Sequence, residues 1–139
     1  MAQWIGVARS NYVKIADVDG LVKALEPFEI EVMGGDANVG KVMFTVSQES
    51  DDGGWPTYAC AEDGTEIKFD PAIHICPFME EGQILVMQEV GWEKLRYVTG
   101  HAVAYNKAGA STSVNIDDIY AKAAAFFEVK EDDITLAQY

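Results

Sequence analysis

The stretch from Gly82 to Tyr120 restricts the possible folds more than any other part of the chain. Gly82 precedes Gln83-Ile84-Leu85-Val86-Met87-Gln88-Glu89-Val90, a nearly continuous apolar run that suits a central strand covered on both faces. After a tight turn at Gly91, the segment from Lys94 to about Asn106 starts with β-branched and aromatic residues and continues with small ones. It predicts a second strand, paired with the first as an antiparallel hairpin, with Gly100 as a bulge or close-packing point. Asn106-Lys107-Ala108-Gly109 supplies a turn and Ser111 to Val114 a short third strand, which completes a meander. A helix should close the unit, with Asn115 as its cap and Asp118 three residues on. Ile116, Ile119, Tyr120, Ala123, Phe126 and Phe127 recur at three- and four-residue spacing, so one face of this helix is expected to lie on the sheet.

The preceding residues carry weaker versions of the same signals. Trp4 to Ala8 and Asn11 to Ile15 predict short extended segments, and Asp17 can cap a helix over Val18 to Leu25 that buries Val18, Leu21, Val22 and Leu25 and stops before Pro27. Phe28, Ile30 and Val32 alternate with Glu29 and Glu31, and Val42, Phe44 and Val46 alternate likewise, so both segments predict strands with one wet face. Thr57 to Cys60 and Glu66 to Phe69 flank Glu62-Asp63-Gly64-Thr65, a hairpin turn. Asp70-Pro71 can open a helix that Pro77 must kink, ending near Glu81 with Gly82 as its stop.

Together these elements predict one α+β domain over residues 1–139: a mostly antiparallel sheet of five to seven strands with two or three helices packed on it. At 139 residues and 49% apolar content the chain can build a core without metal or disulfide staples. There is no signal-peptide pattern and no apolar run of bilayer-spanning length, so the expectation is a soluble, cytoplasmic protein with no membrane partner; no cofactor is expected. Cys60 and Cys76 fit either two buried thiols or one disulfide, and a reducing compartment favours the thiols.

Charge is the outstanding bulk property. The net charge is −13, and Val42 to Glu93 holds eleven acids against one base, Lys68. Such a field repels nucleic acid and attracts the Lys/Arg grooves with which proteins hold it. Glu49, Asp51, Asp52, Glu62, Asp63, Glu66, Asp70, Glu80 and Glu81 are therefore candidate partner-binding residues. Trp55, which follows the polar Asp51-Asp52-Gly53-Gly54 loop, has two readings: a ring folded over the core edge, or an exposed anchor inside an acidic rim. Acidic composition that merely keeps a protein soluble explains the same charge.

Catalytic patterns are missing. His74, His101 and the two cysteines lack any standard zinc spacing, and no phosphate loop, GxSxG elbow or HExxH occurs. His101 lies inside a strand, where a structural histidine is the simpler reading. Asp17-Val18-Asp19-Gly20 fails as a calcium loop because the later ligand positions are apolar. Adjacent pairs such as Asp51-Asp52 point different ways from an extended chain. An alternative nevertheless stands, a small metal-dependent hydrolase or nucleotide-modifying enzyme using Asp51, Asp52 or Asp70.

The segment Glu89-Val90-Gly91-Trp92-Glu93-Lys94-Leu95-Arg96-Tyr97-Val98-Thr99-Gly100, with Asp117-Asp118-Ile119-Tyr120 and Ser10-Asn11-Tyr12, resembles small, mostly uncharacterised proteins of bacterial plasmids and phages. The resemblance implies a setting rich in counter-defence genes, among them anti-CRISPR and antirestriction proteins. It names no catalytic residue. The expectation is a non-enzymatic inhibitor that occupies a basic nucleic-acid-binding protein or complex of a host defence system by charge mimicry, without binding nucleic acid itself. A scaffolding homodimer formed through exposed sheet edges is a further alternative.

Overall fold

Alternating and periodic apolar residues become strands and helices over residues 4–35, 39–46, 53–93 and 96–137, the residues that the computed structural model describes. The order is Trp4–Ser10 (β1), Val13–Lys14 (β2), Val18–Leu25 (α1), Ile30–Gly34 (β3), Lys41–Val46 (β4), Tyr58–Cys60 (β5), Glu66–Lys68 (β6), Pro71–His74 (α2), Leu85–Glu93 (β7), Tyr97–Tyr105 (β8), Ser111–Asn115 (β9) and Asp118–Phe127 (α3). Seven strands form one antiparallel sheet in the order β2-β4-β1-β7-β8-β9, with β3 also paired to β4, while β5 and β6 form a separate hairpin. The α+β class and the antiparallel sheet are as the sequence predicts.

α1 forms where its local signals put it. Asp17 caps it, the carboxylate accepting from Gly20 N at 3.0 Å, and Pro27 follows its end. Leu21 and Leu25 are buried, but Val18 and Val22 are exposed, because the short helix touches the core along a narrower stripe than expected. Asp70 caps α2 through Ala72 N at 3.0 Å, and the helix breaks at Ile75 before a 3-10 turn over Cys76–Phe78 that contains Pro77. Helical structure therefore stops short of Glu81, and Gly82 with φ 81° serves a turn rather than a helix end.

Residues opposite each other in antiparallel strands share a face. On one face of the sheet Leu85, Met87, Phe44 and Val13 are buried with Leu21 and Leu25 of α1, Ile75, Cys76 and Met79 from the α2 region, and Phe28 and Phe69. The β1–β4 ladder carries the pair Arg9 and Thr45, and hydroxyl groups complete it: Ser10 Oγ accepts from Phe44 N at 2.7 Å and Thr45 Oγ1 donates to Ala8 O at 2.8 Å. Asn11 extends the β1–β7 pairing with its amide, donating to Ile84 O and accepting from Val86 N.

β7 sits between β1 and β8, so it is central. It is covered on one face only. Leu85 and Met87 are buried, whereas Val90 and Trp92, on the opposite face, are exposed. Gly91 lies within β7 rather than at a turn, and the strand runs on to Glu93. Gly100 keeps its register with Val90 and is a close-packing point, not a bulge: a Cβ there would stand 3.1 Å from Ile116 Cγ2 and 3.4 Å from Val90 Cγ1.

α3 starts two residues later than a cap at Asn115 implies: its N-cap is Asp117, which makes no side-chain capping bond, while Asn115 and Asp118 pair across its start. Asn115 Oδ1 accepts from Asp117 N at 2.9 Å, and Asp118 Oδ2 accepts from Asn115 N at 2.8 Å, a reciprocal arrangement akin to a capping box. α3 does not bury its apolar stripe as predicted. Phe126 and Phe127 are 82% and 68% exposed. Ile116 N donates to Gly100 O, which ties the approach to α3 to β8, and Ile119 and Tyr120 line a cavity of about 470 Å³ with Val98 and Thr99.

Candidate functional site

The candidate acids fall into four groups. Glu49, Asp51 and Asp52 lie outside the described residues. Glu62, Asp63 and Glu66 come together on the β5–β6 hairpin, all exposed. Asp70 is half-buried and its carboxylate serves as the α2 cap. Glu80 and Glu81 are exposed in the segment before β7, with Glu81 4.0 Å from Lys107 Nζ.

The hairpin holds its acids outward for a simple reason. Ala59 and Ile67, an opposed pair, pack on the core, so the alternate pairs Cys60–Glu66 and Tyr58–Lys68 face away. The turn is closed by Ala61 N to Thr65 O at 2.8 Å and Gly64 N to Ala61 O at 2.9 Å. Hydrogen bonds from Thr65, first its hydroxyl and then its N–H, hold the Asp63 carboxyl below the usual carboxylate range, so it keeps its negative charge further into acid than an ordinary aspartate. Lys68 is the base on this hairpin, and no ion pair within 4.0 Å joins it to an acid among the described residues.

Trp55 is half-buried and packs against the main core, which is the fold-back reading rather than the exposed anchor. Its backbone N–H donates to Glu89 Oε1 at 3.1 Å, and its buried indole Nε1 has no hydrogen-bond partner among the described residues. Glu89 lies opposite His101 across the β7–β8 ladder, and its other carboxylate oxygen stands 3.4 Å from His101 Nε2. Glu89 thus fastens the Gly54-Trp55 segment and His101 to the same strand. His74 meets Phe28 edge-on at a ring-centroid distance of 4.9 Å and stacks with Phe69 at 5.8 Å, and its Nδ1 is 3.0 Å from Asp70 N, a structural role. Among the described residues no three His, Cys, Asp or Glu side chains group as a metal-binding set, and no helix is long and apolar enough to cross a membrane.

Both cysteines are free thiols, and they differ sharply. Cys76 is fully buried, whereas Cys60 is exposed on the hairpin, against the expectation that both are buried. Burial, and secondarily the charge of Asp70, pushes the Cys76 thiol up to about 11. The nucleophile is the thiolate, so at pH 8 a maleimide should modify Cys60 at least about 100-fold faster than Cys76. Mass spectrometry of timed samples measures this, and the difference should vanish in denaturant. Equal native rates would mean that the α2 region opens readily.

Sequence reasoning missed the surface on the other side of the sheet. Three cross-strand rows, Ile5–Trp92–Val98, Val7–Val90–Gly100 and Gln88–Ala102–Val114, share the face opposite the core. Ile5, Val7, Val90, Trp92, Val98 and Val114 are all exposed. Across β1, β7, β8 and β9 this face carries a single charge, Arg9. The signal lay in the alternation of Ile5 with Val7 and of Val90 with Trp92. No family model matches the chain, and neither curated proteins nor solved structures give a match.

Proposed function

We propose that this chain is a non-enzymatic acidic binding protein whose β5–β6 hairpin enters a basic, nucleic-acid-binding groove of a partner. The observation that carries the reading is the hairpin itself: Glu62, Asp63 and Glu66 stand exposed on a short two-stranded hairpin whose inner residues Ala59 and Ile67 pack on the core. Charges placed this way steer association with a Lys/Arg groove and cost little stability. In the finer form of the proposal the partner is a host defence complex, and the protein belongs with the counter-defence inhibitors of mobile elements. The resemblance of the Glu89 to Gly100 segment supports that form.

The test is inhibition of DNA cleavage by a panel of purified CRISPR effector complexes and restriction nucleases, at low and at physiological salt. At least one should be inhibited, more strongly at low salt. The triple variant Glu62→Lys, Asp63→Lys, Glu66→Lys should then lose roughly tenfold or more in potency through slower association, with its fold intact. A matched reversal at Glu128, Asp132 and Asp133 should do much less. Equal loss from the two triples would leave only net charge, and no inhibition of any member would remove the reading.

A further inference from the structure

Among the described residues two apolar surfaces stand exposed, the open face of the sheet and one side of α3. The open sheet face spans β1, β7, β8 and β9, about 14 Å from first to last strand at ordinary spacing. α3 has ten residues, hence a length of about 15 Å, and shows Ile119, Phe126 and Phe127 to solvent. A groove of about 280 Å³ lies on this face, lined among others by Gln88, Val90, Ala102, Val114 and Ile116. α3 cannot fill it on its own chain as folded. Its approach is held at β8 by Ile116 N to Gly100 O, and the C-terminal segment is pinned to it where Ala137 N donates to Tyr120 Oη at 2.7 Å.

We propose that two copies of the chain pair reciprocally, α3 of one protomer lying across the open sheet face of the other. A two-fold axis makes both contacts at once and leaves no surface to propagate a fibre. The two surfaces together expose on the order of 1,000 Å² of apolar side chain, comparable with the ~800 Å² per partner that a stable interface buries and beyond the few hundred ordinary on a monomer. Electrostatics allow it. Although the chain carries −13, Arg9 is the one charge on this face of the four strands, and the acids that border the two surfaces among the described residues are Asp117 and Glu131, which line the cavity with Val98 and Ile119, and Asp118 at the helix start. The pairing goes beyond the acidic-hairpin reading and does not depend on it: the hairpin triple variant should dimerise normally.

Sedimentation equilibrium of the full chain should give a dimer at micromolar concentration. The helix variant Phe126→Asp, Phe127→Asp and the sheet variant Val90→Asp should each weaken dimerisation by at least roughly tenfold, since each removes both copies of the contact. Circular dichroism should stay unchanged, as all three residues are exposed. An equimolar mixture of the two variants should regain dimer, because one intact helix then meets one intact sheet. As a second measurement, Val90→Cys with Phe126→Cys, in a Cys60→Ser background, should oxidise to a covalent dimer joining residue 90 of one copy to residue 126 of the other. A monomeric wild type, a dimer indifferent to either variant, a mixture no better than its components, or no 90–126 cross-link would each overturn the proposal.

Discussion

Replacing Phe44 with alanine should lower the stability of the fold by about 3–5 kcal/mol, the range for truncating a phenylalanine in a packed core. Phe44 is fully buried on β4 and belongs to the cluster that joins α1, the α2 region and β7. Its N–H bond to Ser10 Oγ survives the substitution, so the loss comes from the ring alone. Domains of ordinary stability hold about 5–15 kcal/mol, and with a urea slope of about 1–3 kcal/mol/M the unfolding midpoint should fall by roughly 2 M. Val22→Ala on the outer side of α1 should stay within about 0.5 kcal/mol, because Val22 is exposed. Comparable shifts for the two would mean that the covered face of the sheet is not the main core.

Gly53→Ala should be nearly as damaging, for a different reason. Gly53 has φ +69°, and a Cβ at that position would land on the carbonyl oxygen of Gly6 in β1. That carbonyl cannot withdraw, since Gly6 lies opposite Gly91 in the longest stretch of β1–β7 pairing. The left-handed backbone alone costs about 1–2 kcal/mol, and relieving the overlap adds about 1–3 kcal/mol more. Gly64→Ala supplies the control: φ is +85° there too, but nothing lies within 4 Å of the added carbon, so only the backbone part remains. Thermal unfolding of the pair separates the two contributions. Equal midpoints would show that the Gly53-Gly54 segment does not lie against β1.

What the sequence made legible were signals that act within a few residues. α1 was predicted to its ends because the Asp17 cap, the spacing of Leu21 and Leu25, and Pro27 are all local. The β8–β9 half of the meander follows from the Asn106–Gly109 turn for the same reason, whereas the turn expected at Gly91 lies inside β7, and the Asn115–Asp118 pair marks the start of α3 within three residues. Placement across the molecule was harder. Apolar residues at Val90 and Trp92 imply a surface that avoids water, yet they do not say which element covers it, and the nearly continuous run implies cover on both sides where the structure has it on one. α3 shows the same limit: its stripe was visible, but the tie from Ile116 to Gly100 decides where the stripe points. Of the candidate site, three acids collect on one hairpin because Ala59 and Ile67 alternate with their neighbours, whereas Asp70 is occupied by capping. Counting charges along the chain cannot separate those two fates.

The pairing of β1 with β7 has a consequence for how the chain comes to be made. Trp4 lies opposite Glu93 and Ser10 opposite Met87, so β1 leaves the ribosome roughly 80 residues before its partner, a wait of about 4–16 s at ordinary rates of synthesis. The β7–β8–β9 meander closes between neighbours and can form within microseconds to milliseconds of emerging. During the wait Ile5 and Val7 stand on a strand whose β7 edge is empty, which is when the nascent chain is most open to pairing with another molecule. Slowing translation between β4 and β7 would lengthen that window without altering a single contact of the finished protein.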